Sequence, residues 1–574
     1  MKKFYLFLAL IFAVLLLSCA ASAEEGTAHE ITSEDFPLYM AGADIGETQT
    51  LYFLDGVKDL PYLEANDVMA LLVLFLADEE KGIDFTMEPT GSLVTITRNH
   101  PEENDDGVFV VFDFDKDTIE FMDYNLFLMS AEASTVLDVT GLKYFNEAGE
   151  PSLIQKVNTG SLDRFGDSVI LPLGNYGIDL ITQDGLYLIP LQTFTDFFLA
   201  PSLGYNFFYN GQILLLTPLI EPGDELYYAA PTGERSEQLV KFGYGELCMM
   251  LDYMYGKKDT HEIDSFNDLF HYVGFDRALK DYGVEIADKA IYRMLNEYLD
   301  DNHTEWHAFS YLTGSIDYEP PMGTSDARFR KLARMYYGSR EEFYPDGIPG
   351  YEEVGNTAYI TFDQFSLDGI MDPEYFYSVE DPNDFADTNT IGLIIKAHAM
   401  INRENSPIEN VVLDLSCNPG GAADTAIFTL AWLLGDASLG MKDTMTGAMT
   451  TSTYRADVNR DRVFDEKDSV TGKNLYCLIS PISFSCGNLV PCILKESGMV
   501  TLLGRTSGGG SNVVLNVSSP WGTSFQISGA KRISFLKNGS FYDVDRGADP
   551  DFVLTSPEKY YDRQALTDYI NSLY

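Results

Sequence analysis

Three regimes of hydrophobic patterning divide the chain. From about residue 30 to 225, short runs alternate apolar and polar positions, as in "LVTIT" (93–97) and "ILLLT" (213–217), with Gly, Asn and Asp at their ends. A period of two bounded by turn residues predicts β-strands. "EPGDELYYAAPTGERSEQ" (221–238) is rich in turn residues and predicts a linker. From there to about 310, "LVKFGYGELCMMLDYMYG" and "ADKAIYRMLNEYLDD" place apolar residues at helical spacing. From about 355, strands and helices alternate: "GNTAYITFDQF", "TIGLIIKAHAMINRE", "IENVVLDLS", "AADTAIFTLAWLLG", "YCLIS", "CGNLVPCILKESG" and "MVTLLG". Such alternation predicts an α/β unit, a parallel or mixed sheet covered by helices.

The first half repeats itself faintly. "LDGVKDLPYLEANDVMALL" leads to "GSLVTITRNH", and "QDGLYLIPLQTFTDFFL" leads to "YNGQILLLTP". Each copy offers an Asp-Gly turn, a Pro-bearing strand, a short amphipathic helix and a closing strand. The pattern resembles the small repeats at the N-terminus of copper amine oxidases; two unrelated strand–helix–strand units would read the same way. No catalytic constellation falls in this half.

The leader "MKKFYLFLALIFAVLLLSCAASAEEG" has two lysines, an apolar run and then small residues, which predicts a secretory signal. Cleavage after Ala23 is one reading. The other takes "LLSC" as a lipobox, leaving Cys19 as a lipidated N-terminus at the cell membrane. Either way the expected location is extracytoplasmic. With 574 residues there is room for several cores, and a net charge of -50 argues against nucleic acid or anionic lipid as partners. Membrane association is expected through the lipid anchor alone. The five cysteines beyond Cys19 (Cys248, Cys417, Cys477, Cys486 and Cys492) form no CxxC and no zinc spacing.

Two strand ends carry the chemistry. "IENVVLDLS" runs into "CNPGG", where Gly420 and Gly421 let the backbone approach a ligand and leave N–H groups free at a helix start. "YCLIS" runs into "PISFSCGN", which puts Ser485 at a second strand-to-helix turn. One such turn can hold a nucleophilic hydroxyl while the other donates N–H groups to an oxyanion.

"VVLDLSCNPGG", "SFSCGN", "LLGRTSGGG" and "RGADPD", in that order, resemble the blocks of the S41 peptidases, the tail-specific and tricorn-like serine proteases. The resemblance covers roughly 235–574. It implies a ClpP/crotonase-like core with a helical subdomain, preceded here by the β-rich region. The expected divisions are a signal at 1–23, the β-rich region at 24–225, the helical part at 226–320 and the core at 321–574. It also implies a protein or peptide substrate, no required cofactor, Ser485 as nucleophile, and an oxyanion hole from the N–H of Gly420 or Gly421 and of Cys486. The processing branch has a lysine base in the Gly-rich block; here "TSGGG" places Gly509 there. The chain therefore resembles the histidine-using branch, which implies His303 of "DDNHTEW" as base, with His307 as substitute, titrating near pH 6–7 as an ordinary imidazole does. Asp545 is the expected orienting acid, with Asp543 as alternative, because the usual acid position falls on Val544 between them. No stretch resembling a PDZ domain precedes "GNTAYITF". A non-catalytic peptide or envelope-ligand binder on the same scaffold is the competing reading.

Two further expectations follow. "DVNRDRVFDEKD" puts Asp457, Asn459, Asp461, Val463, Asp465 and Asp468 at positions 1, 3, 5, 7, 9 and 12 of an EF-hand-like loop closest to those of dockerins, which predicts structural calcium, although position 6 is Arg462. Cys417 and Cys486 fall in the two facing turns and are candidates for contact or a disulfide.

Overall fold

A computed structural model describes residues 28–573, apart from 100–106, 132, 134, 139, 147 and 317–321 and the side chains of 158–163. The leader with Cys19 and Ala23 lies outside the described residues.

The C-terminal core is built on a sheet of six strands that lie side by side in chain order: β1 (Tyr351–Val354), β2 (Thr357–Thr361), β3 (Asn410–Asp414), β4 (Asn474–Ile479), β5 (Val500–Gly504) and β6 (Phe552–Val553). β1 and β2 form an antiparallel hairpin; every later pair is parallel. Parallel neighbours need helical crossovers, and the helices supplied are α1 (Thr390–Ile401), α2 (Ala423–Leu434) and α3 (Cys486–Ser497). All five residues of β3 are buried, as expected of a strand covered on both faces. α2 is apolar almost all round and correspondingly buried. This is the α/β core that the alternating pattern predicts.

A second, antiparallel sheet stands beside it. Its order is Glu305–Ala308, Ser524–Ser534, Ala437–Asp443, Met449–Ala456 and Ile154–Arg164, with Asn512–Ser518 along the other side of Ser524–Ser534. Its last strand comes from the β-rich half, so the two halves of the chain are joined by main-chain hydrogen bonds.

In the β-rich half, both Asp-Gly turns adopt left-handed backbone, at Asp55-Gly56 (φ 52° and 74°) and Asp184-Gly185 (φ 55° and 82°). The Pro-bearing strands that follow pair with each other, Leu63 opposite Ile189. Each runs into a helical segment, Ala65–Leu76 and Leu191–Leu203. The closing strands then diverge. Leu214–Thr217 stays in the same seven-stranded sheet, whereas Leu93–Asn99 joins a separate five-stranded one. One apolar core, including Phe53, Leu72, Phe112 and Phe198, continues into the helical segment through Leu247 and Leu251 and reaches Trp521 and Phe525.

Candidate active site

The turn after β3 is organised by Asn418, the Asn of "CNPGG", whose role the sequence does not reveal. Its Oδ1 accepts the Gly420 N–H (2.8 Å), its Nδ2 donates to the Phe362 carbonyl (3.0 Å), and its own carbonyl accepts the Phe484 N–H (3.1 Å). The last bond ties this turn to the one carrying Ser485. Gly420 (φ 117°) lies so close that a Cβ there would stand 2.6 Å from the Ser485 Cβ, so no side chain fits.

Ser485 itself has φ 54° and ψ −125°. A left-handed serine costs of order 1–3 kcal/mol and persists where its surroundings over-determine it. Here its N–H is fixed to the Gly509 carbonyl at 2.9 Å, its carbonyl caps α3 through Asn488 and Leu489, and Gly420 packs on its Cβ. The strand–strained serine–helix order is that of a nucleophile elbow, without the flanking glycine of G-x-S-x-G. Ser483 is different. Fully buried, it donates to the Leu415 carbonyl (2.7 Å) and accepts the Ser480 N–H (2.9 Å), so its hydroxyl is structural.

The three expected oxyanion donors separate. The Gly420 N–H is engaged by Asn418. The N–H groups of Gly421 and of Cys486, the first residue of α3, have no partner among the described residues. A helix leaves its first N–H groups unsatisfied, and both residues line the same cleft as Ser485. The Cys486 thiol donates to the Gly421 carbonyl (3.1 Å), and the Cys417 thiol contacts the Tyr561 hydroxyl (3.2 Å). Both cysteines are free, correcting the candidate disulfide: each sulfur has another partner. Burial pushes each thiol up to about 12.

His303 follows a helical segment that ends at left-handed Asp300. Its N–H donates to Asp301 Oδ1 (2.9 Å) and its carbonyl accepts from Gln526 Nε2 (2.9 Å). The ring packs 4.6 Å from that of Phe484, centroid to centroid. The imidazole is therefore brought into the Ser485 cleft, though no hydrogen bond joins the two side chains in this structure. Burial, the largest influence, lowers its pKa to about 4, against a smaller opposing effect of Asp301. His307 does not line the cleft.

Asp545 is held elsewhere. Oδ1 accepts from the N–H groups of Gly510 (3.2 Å) and Ser511 (2.7 Å), and Oδ2 pairs with Arg532 (2.8 Å). Asp543 also meets Arg532, at 3.1 Å, and the Val544 side chain is buried. Neither carboxylate hydrogen-bonds the His303 ring, a departure from the expected triad. Asp545 instead braces the Gly-rich block whose Gly509 carbonyl fixes Ser485. A Cβ at Gly509 (φ 85°) would lie 2.4 Å from the Asp545 carbonyl oxygen, so a lysine does not fit this backbone. Arg532 gave no signal in the sequence; its role follows from strand pairing.

The cleft has a volume of about 930 Å³. One wall is the long helix Thr324–Phe343, through Asp326, Phe329, Arg330 and Tyr337. Another is the strand Asn512–Ser518, through Val513 and Val514.

The loop at 457–468 departs from the expected calcium cage. Buried Asp457 accepts the N–H groups of Asp461 and Arg462 and the Tyr377 hydroxyl. Asp468 accepts those of Val458, Asn459 and Asp465. Asn459, Asp461 and Asp465 close turns of their own, onto the N–H groups of Asp461, Val463 and Lys467. Among the described residues no three His, Cys, Asp or Glu side chains converge to hold a metal ion.

Residues 356–554 match the family model "Peptidase family S41". The chain is 32% identical over 107 residues to the protein CPj1016/CpB1054 of Chlamydia pneumoniae, a span of 18% of this chain and 16% of that protein. Among solved structures it is similar to the photosystem II D1 C-terminal processing protease, with 17% identity, 35% of this chain and 43% of that one covered, and a TM-score of 0.26. It is also similar to a lipoprotein from Streptococcus agalactiae, with 14% identity, 58% and 96% covered, and a TM-score of 0.33. The resemblance to peptidase family S41 is supported over residues 356–554, where the family model spans the sheet from β2 to β6 and the turns "CNPGG" and "SFSCGN" line one cleft.

Proposed function

We propose that the protein is an extracytoplasmic serine peptidase working through an acyl-enzyme. In this reading His303 takes the Ser485 proton as Oγ attacks the scissile carbonyl. The oxyanion so formed lies against the N–H groups of Gly421 and Cys486, the C–N bond breaks as the imidazolium protonates the leaving amine, and water then hydrolyses the ester by the reverse transfers. The observation that carries the reading is the strained backbone of Ser485 beside two unpartnered N–H groups. The imidazole must close on the hydroxyl directly or through one water, a bond that in free enzymes often tightens only with substrate bound. Hydrolysis by this route requires no cofactor.

The test is a fluorophosphonate serine probe. Wild type and Ser483→Ala should label; Ser485→Ala should not, and His303→Ala should label orders of magnitude more slowly. The missing His303–Ser485 bond favours a second reading, a peptide-binding protein on this scaffold. Failure of wild type to label while peptides still bind would establish it.

Export and lipidation rest on the leader; no helix among the described residues is long and apolar enough to cross a membrane. A palmitate analogue should mark wild type and spare Cys19→Ser; equal release of both would place cleavage after Ala23.

A further inference from the structure

Two acids are enclosed at the seam between the halves of the chain. Asp196 lies on the helical segment Leu191–Leu203 of the β-rich half, and Glu246 on the helix Glu237–Met254. They are 1% and 0% exposed. No lysine, arginine or histidine meets either carboxyl group among the described residues. A buried charge without a partner is costly, so such a group ordinarily takes up a proton.

Hydrogen bonds account for half of each carboxyl group. Gln192 Nε2 donates to Asp196 Oδ1 (2.9 Å), and Thr193 Oγ1 donates to Glu246 Oε2 (2.8 Å). Asp196 Oδ2 and Glu246 Oε1 are left buried with no donor, and the two side chains are within hydrogen-bonding reach of each other. Two ionised carboxylates in contact would repel and leave both of those oxygens unsatisfied. One proton between them removes both costs, since one group then donates O–H to the other. Among the described residues no third His, Cys, Asp or Glu joins them, so the pair does not make a metal site. The other titratable groups nearby are turned elsewhere. Tyr124, which faces Asp196, donates its hydroxyl to the Phe197 carbonyl (2.8 Å). Lys531, from the strand Ser524–Ser534, directs its ammonium to the Pro201 carbonyl (3.0 Å). Burial, the largest influence on each acid, raises both above the usual carboxylate range, and the Glu246 charge adds to the rise at Asp196.

Gln192 carries the contact onward. Its Nε2 also donates to the Ser518 hydroxyl (3.0 Å) and carbonyl (3.3 Å). Ser518 ends the strand whose Val513 and Val514 wall the Ser485 cleft.

We propose that Asp196 and Glu246 form a proton-binding site, and that the proton they share locks the β-rich half onto the helical segment and, through Gln192, onto the cleft strand. Asp196 supplies the O–H and Glu246 Oε1 accepts it. Transfer of that proton to hydroxide gives water and two like charges in contact, and the seam loosens. The site holds whether or not Ser485 is a nucleophile. Both groups titrate higher in the fold than in the unfolded chain, where they lie near 4. This contribution to stability is therefore fully present below about pH 4 and is lost as pH rises through the folded values.

An amide tests the site, because Asn or Gln offers a fixed N–H where the proton would stand. Melting temperatures of wild type, Asp196→Asn and Glu246→Gln are compared at about pH 6 and about pH 9. Each amide variant should gain several degrees on wild type between the two, and either variant alone suffices. At the higher pH, subtilisin should cut wild type in the 221–238 connection several-fold faster than it cuts Asp196→Asn. A difference from wild type that is the same at both pH values, or smaller at the higher one, overturns the shared proton; equal cutting overturns the lock. Failure of both variants to fold also overturns the proposal, since an amide reproduces the protonated pair.

Discussion

The pH dependence of Ser485 labelling separates a buried imidazole from an ordinary one. A solvated histidine has a pKa near 6.5 and would confine the base to pH above about 6.5. His303 is 7% exposed, and burial lowers it to about 4. For a base of pKa 6.5, the neutral fraction falls roughly tenfold between pH 7.5 and pH 5.5; for a base near 4 it stays about 97% at pH 5.5. The fluorophosphonate labelling rate of wild type should therefore be nearly flat from pH 7.5 to 5.5 and fall only below about 5. An inflection at pH 6–7 in wild type, absent from His303→Gln, would refute the argument, because it would mean that the ring titrates in water. The same shift acts on stability. The folded pKa is depressed, so the unfolded chain binds the proton more readily. This contribution, at most about 3 kcal/mol, is fully present above pH 6.5 and is lost as pH falls towards 4. The melting temperature of wild type should thus drop more between pH 7 and pH 4.5 than that of His303→Gln.

Gly509→Lys should lower the melting temperature by several degrees and fail to restore labelling to His303→Ala, since its Cβ collides with the Asp545 carbonyl; restored labelling would show a usable lysine site. Asp545→Asn breaks the pair with Arg532 and should slow labelling while leaving the shape of the pH profile unchanged; a shifted inflection would mean that the carboxylate acts on the imidazole instead. Cys417 and Cys486 should resist alkylation in the native state and react without reductant once unfolded; a requirement for reductant would reveal a disulfide. Calcium at the 457–468 loop must displace bonds that its carboxylates already make, so about 10 mM calcium, roughly tenfold above the upper end of the weak extracellular range, should leave the melting temperature unchanged; a rise abolished by Asp457→Ala with Asp461→Ala would establish the site.

The α/β core was legible because it depends on local rules. Strands such as "NVVLD" and helices such as "AIFTLAWLL" must be buried on every side, and an alternation of the two admits few arrangements. The turns at Gly420 and Ser485 were legible for a similar reason, since small residues at a strand end followed by a helix restrict the backbone locally. Side-chain partners were not. Asp545 was expected beside His303 on its order in the chain, yet the partners of a carboxylate are set by which N–H groups and guanidinium the strand pairing delivers, here Gly510, Ser511 and Arg532. The titration of His303 is not legible in the sequence for the same reason: an imidazole's pKa depends on desolvation, and desolvation belongs to the packing of Phe484 and its neighbours rather than to "DDNHTEW". The meeting of Asp196 and Glu246 was equally hidden, because helical periodicity says which positions face inward but not that two acids from different helices meet there. The sequence by itself determined the elements, their order and the two turns that face each other. Only the tertiary structure decided which donors remain free, which acid meets which base, and how dry the base is, since each depends on contacts between residues far apart in the chain.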